Sequence, residues 1–139
     1  MASDRDQRLI DIDFYPGAWG PTIRIATQDR AALLALRSVL LEAARTENYQ
    51  RDLLSTLSVR ATGIEGLVVR TVSSGREHPK ALRRLSNQDR IAFEWCQTPS
   101  NWEVQAELVD GLLAEDLPGH QYLTEEGVDD ALIEVAYRE

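Results

Sequence analysis

The chain has 139 residues, 43% of them hydrophobic and 27% charged, with a formal net charge of −8. That length suits one ordinary domain, residues 1–139, and that balance excludes wholesale disorder. One cysteine, Cys96, rules out an internal disulfide and any CxxC metal or redox motif.

Residues 1–8, "MASDRDQR", are polar and lack the apolar middle of a secretory signal; they read as a disordered leader to a cytoplasmic protein. "LIDIDFY" then alternates Ile10, Ile12 and Phe14 with Asp11 and Asp13, the pattern of a half-buried strand. "PGAWGP" is dense in turn residues, and "TIRIAT" resumes as a second strand. Residues 9–27 are thus expected to form a hairpin with a long tip carrying Trp19. Thr27 stands where a helix cap belongs, and Leu33, Leu36, Leu40 and Ala43 repeat at three and four, predicting a helix over 28–45.

"LLSTLSVRA" places Leu53, Ser55, Leu57, Val59 and Ala61 on one face of a strand; "TGIEG" turns and "LVVRTV" returns. "SSGREHP" reads as a loop, "KALRRL" as a short strand, and "RIAFEWC" as a strand with Trp95 on its core face. Ser100 and Glu103 make a capping box before Trp102, Ala106, Val109 and Leu113, which predict a second helix over 101–115. "LPGHQYL" reads as a turn feeding a last strand in which Ala131, Ile133, Val135 and Tyr137 alternate with Leu132, Glu134 and Ala136. The connections are too short for crossovers, so the expected fold is α+β: a single antiparallel sheet with two helices packed on one face, in the order ββα-ββ(ββ)-αβ.

Charge is distributed unevenly. Residues 1–87 hold 13 Arg or Lys against 10 acids, and residues 88–139 hold 2 against 13. From Ile91 to Tyr137 there are eleven acids and no Arg or Lys, just after the basic run Arg70, Arg76, Lys80, Arg83, Arg84 and Arg90. Glu103, Glu107 and Asp110 fall at i, i+4 and i+7 of the second helix, with Glu115 and Asp116 at its end. The Glu103–Glu107 repulsion costs about 0.2–0.5 kcal/mol, which a cationic counterpart offsets: Arg83 and Arg84 within the fold, or a basic partner.

His120 and Tyr122 share one side if "HQYLT" is extended, which would suit a general acid–base pair. His78 lies far away in sequence and no HxH, HxxxH or HExxH spacing exists, so no metal and no cofactor are expected. GxSxG, GxxxxGK[ST] and GxGxxG are absent as well. The basic run carries no aromatic for base stacking, and no apolar run spans a bilayer, which argues against nucleic acid and membrane.

The stretch from "FEW" through "NWEVQAELVDGLLAEDLPGHQYL" to "DDALIEVAYRE" resembles the C-terminal half of small, uncharacterised bacterial α+β proteins, some of which are immunity proteins that silence a toxin. The resemblance covers the last third of the chain and implies a binding protein; it transfers no residue role. The leading expectation is an acidic protein-binding module that engages a basic partner, such as a toxin, through Trp19, Glu103, Glu107, Asp110, Glu115, Asp116, His120 and Tyr122. The alternatives are a small enzyme built around His120 and Tyr122, and a structural homo-oligomer, down to a homodimer, made by edge-strand pairing.

Overall fold

The computed structural model describes residues 9–73, 80–85, 89–124 and 129–139. The expected leader 1–8 and the residues Arg76, His78, Glu125 and Glu126 lie outside them. In chain order the elements are β1 (Ile10–Gly17), β2 (Gly20–Thr27), α1 (Arg30–Arg45), β3 (Gln50–Asp52), α2 (Leu53–Thr56) and β4 (Val59–Thr62). Then follow β5 (Gly66–Thr71), β6 (Leu82–Arg84), β7 (Ala92–Gln97), α3 (Pro99–Glu115), β8 (Gly119–Tyr122) and β9 (Leu132–Tyr137).

The fold is α+β, and the expected single antiparallel sheet is replaced by two mixed ones among the described residues. One has five strands in the order β4-β1-β2-β9-β8, the other four in the order β3-β5-β7-β6. Parallel pairs β1–β4, β2–β9 and β5–β7 alternate with antiparallel ones, β1–β4 at a sheet edge. Short connections do not exclude them, because the parallel partners are not consecutive strands. The chain between β2 and β9 includes both long helices, and β6 is made on the way from β5 to β7.

Both helices follow from their apolar stripes. Leu33, Leu36, Leu40 and Ala43 of α1, and Trp102, Ala106, Val109 and Leu113 of α3, are all buried in one continuous core. The helices pack along one another as well as over strands, joined at the rim by the Arg37–Asp110 ion pair. Trp102 meets Trp95 of β7 edge-to-face at 4.9 Å, and Phe14 of β1 meets Phe93 of β7 at 5.1 Å, so both sheets contribute to the same core.

Several boundaries move for local chemical reasons. Asp29, not Thr27, caps α1 by accepting from the Ala31 N–H at 3.0 Å. Thr27 instead ties the junction to β1 by donating to the Leu9 carbonyl at 3.2 Å. Thr98, not Ser100, caps α3, with Pro99 in its first turn where the missing N–H costs nothing. The strand expected from Leu53 opens as a helical turn because Asp52 accepts from the N–H groups of Leu54 and Leu67, at 3.0 and 3.1 Å. β4 and β5, expected to return on each other, therefore enter different sheets. The tip of the first hairpin is short: pairing continues through Pro16–Pro21 to Gly17–Gly20, leaving Ala18 and Trp19 as the loop. "GHQY" is an edge strand antiparallel to β9, not merely a turn.

Candidate functional site

The acidic ridge of α3 divides into two groups. Asp110 is held by Arg37. Asp116 closes the helix in the left-handed region (φ 52°) and accepts from the Tyr137 hydroxyl at 2.7 Å, with Arg138 at 2.9 Å and Arg30 at 3.3 Å. The Tyr137 hydroxyl, and then the two guanidiniums, hold its carboxyl below the usual aspartate value. Glu103, Glu107 and Glu115 are exposed and take no cation among the described residues. The central basic segment reaches other acids: Arg70 and Arg83 meet Glu94, Lys80 meets Asp130, and Arg90 meets Glu65. Arg84 gives its backbone N–H to Asp130. Internal pairing therefore accounts for two of the five ridge acids, through Arg37, Arg30 and Arg138 rather than Arg83 and Arg84.

Helical spacing puts Val104, Glu107, Gly111 and Glu115 on one outward strip, with Glu103 at its flank. Val104 is 49% exposed. A Cβ built on Gly111 would meet nothing within 4 Å, so no neighbouring backbone explains the glycine. The strip is thus an acidic surface with one exposed apolar side chain at its N-terminal end and a shallow notch at Gly111.

His120 and Tyr122 project from a different surface. On the outer face of the five-stranded sheet, facing away from the helices, one row reads Arg60, Asp11, Ala26, Ala136, His120 across the strands. The next reads Thr62, Asp13, Arg24, Glu134, Tyr122. The His120 and Tyr122 rings are edge-to-face at 5.7 Å, and His120 Nδ1 lies 2.9 Å from the Glu139 carboxylate. That hydrogen bond raises the imidazole above its ordinary value, while burial and the Glu134 contact raise the Tyr122 phenol. An imidazole oriented by a carboxylate resembles half of a general-base device, but both rings stand on an exposed edge strand and neither lines the concavity beside it. The neighbouring concavity, about 580 Å³, is lined by Asp11, Arg24, Ala26, Gln28, Arg60 and Glu139 among others.

Trp19 is 67% exposed at the hairpin tip, free of the core it could have covered. The residues expected to share one interface thus occupy separate places: the α3 strip, the seam between α1 and α3, the outer sheet face, and the hairpin tip. Sequence reasoning passed over Arg24, Arg60 and Glu139. Arg24 was visible between Ile23 and Ile25, on the polar side of its strand, but nothing in the chain announced which acids it would face.

Cys96 is buried beside Glu94, its thiol pushed up to about 12, first by burial and then by that carboxylate, so it is a poor nucleophile. Among the described residues no three His, Cys, Asp or Glu are grouped to hold a metal ion, and no helix is long and apolar enough to cross a membrane. Comparison with protein-family models, curated proteins and solved structures finds no match.

Proposed function

We propose that the chain is a cytoplasmic protein-binding module that engages a basic partner through the outward strip of α3, as an inhibitor or immunity factor would. One observation carries this reading: Glu103, Glu107 and Glu115 stand exposed on one helix without a cation among the described residues, although 15 Arg and Lys are present in the chain. Repulsion along the strip is relieved when a positive surface approaches, so the carboxylates speed encounter and suppress acidic competitors. Val104 supplies the apolar contact that anchors the encounter, and the Gly111 notch lets the partner's backbone come close. Asp110 and Asp116 hold the helix to α1 and to the β9 end, and so keep the strip rigid.

The test is charge reversal. The triple variant Glu103→Lys, Glu107→Lys, Glu115→Lys is expected to keep the native circular dichroism spectrum, because the three side chains are exposed. It should lose capture of basic proteins from a lysate of the producing cells. Unchanged capture of the same proteins would place the interface elsewhere.

A further inference from the structure

The α3 reading makes no use of the cleft on the outer sheet face. Its floor is Ala26, small enough to leave depth, and its rim carries Arg24, Arg60, Gln28 and Asp11. One wall is Glu139, which reaches the cleft by an unusual route. Arg138 takes the left-handed conformation (φ 58°), disfavoured for any residue with a Cβ. It is held there by its N–H to the Thr27 carbonyl at 3.0 Å, by Asp116, and by stacking over the Tyr137 ring at 4.8 Å.

That turn brings Glu139 back over the sheet. Its carboxylate lies 2.9 Å from His120 Nδ1 and 3.8 Å from Arg24 Nη2, and Gln28 Nε2 donates to its backbone oxygen at 2.8 Å. Donors from β2, the β2–α1 junction and β8 therefore converge on one acidic residue. Across the floor stands Arg60, its side chain 67% exposed; Asp11 accepts from its Nε at 2.9 Å, and an arginine has four further N–H donors.

We propose that this cleft recognises a carboxylate, with Glu139 as a resident stand-in that gives way when a carboxylate-bearing ligand docks between Arg24 and Arg60. Guanidiniums suit this ligand because they offer paired, planar donors to both carboxylate oxygens. The volume fits a small acid or one acidic side chain of a peptide. Asp11 and Glu134 each neutralise one guanidinium, and Asp13 adds a negative charge in the next row. The cleft thus carries more acid than base, and selection rests on the paired-donor geometry of the guanidiniums rather than on net attraction. The site is independent of the α3 strip: it uses other residues on another face, and either can fail alone.

The experiment is an NMR titration that follows the His120 ring and the Gln28 side-chain amide. The probes are succinate and an N-acetylated, C-amidated tri-glutamate peptide, with chloride at matched ionic strength as reference. Saturable shifts are expected with at least one carboxylate probe and none with chloride; the tighter probe tells whether a free acid or a peptide side chain is the better ligand. Glu139→Gln should bind about tenfold tighter than the parent, since the occupied fraction of the cleft no longer subtracts from affinity. Glu47→Gln, which removes an exposed charge outside the cleft, should bind as the parent does. Arg60→Gln, chosen because its exposure spares the fold, should lose most of the affinity. No saturable shift in Glu139→Gln with either probe, equal affinity of Glu139→Gln and parent, or unchanged binding by Arg60→Gln would each overturn the proposal.

Discussion

At Asp116 three donors meet one carboxylate at the end of α3, and the residue accepts a left-handed backbone to receive them. Its depressed pKa fixes the sign of its effect. A carboxylate whose folded value lies below its ordinary 3.8 stabilises the fold above that value, and the benefit is lost as pH falls through the folded pKa. The melting-temperature advantage of the parent over Asp116→Asn should therefore be present at about pH 6 and fade in the acid range. His120 works in the opposite direction. Its raised pKa makes the Glu139 contact stabilising below 6.5, and that contribution disappears as pH rises through the folded value. Glu139→Gln should thus cost more melting temperature at about pH 6 than at about pH 8.5, by a small amount because the pair is solvated. In the interior, Thr71 donates to the Ala43 carbonyl near the end of α1 at 2.6 Å, so Thr71→Val leaves that carbonyl unpaired and should cost about 1–3 kcal/mol in denaturant unfolding.

Among the elements, α3 shows the tension between stability and surface most plainly. Gly111 lies in mid-helix with open space around it, so Gly111→Ala should stabilise the chain by about 1 kcal/mol, measured by the urea midpoint. Helices α1 and α3 were readable from the sequence because their apolar stripes repeat with the helical period, and each stripe residue is buried. The alternating strands around Ile12, Trp95 and Ile133 were readable for the same reason at period two. Alternation tells which face a residue takes but not which strand lies beside it, so the parallel pairs and the division into two sheets could not be read. The helical turn at Leu53 was hidden by a strand-like pattern that Asp52 overrides with two hydrogen bonds. The site followed the same logic. The exposure of Glu103 and Glu107 followed from helical spacing, whereas the rows joining Arg60 to His120 depend on register between strands distant in sequence.

Across the whole molecule, the charge imbalance of the sequence becomes a spatial one. Among the described residues Arg70 and Arg83 meet Glu94, Lys80 meets Asp130 and Arg90 meets Glu65, and α1 and Arg138 take Asp110 and Asp116, while the outward strip of α3 keeps its charge. Association with a basic partner should therefore slow about tenfold or more as salt rises from about 50 to about 500 mM, since screening shortens the reach of the strip to a few ångströms. The most direct measurement is site-specific photocrosslinking in the producing cells, with a benzophenone side chain at Val104 and, as comparison, at Tyr15 on the outer sheet face. A single basic protein joined at Val104, and lost when Glu103, Glu107 and Glu115 are reversed to lysine, is the expected result. An adduct formed only at Tyr15, or one at Val104 that survives the reversal, would contradict docking through the acidic strip.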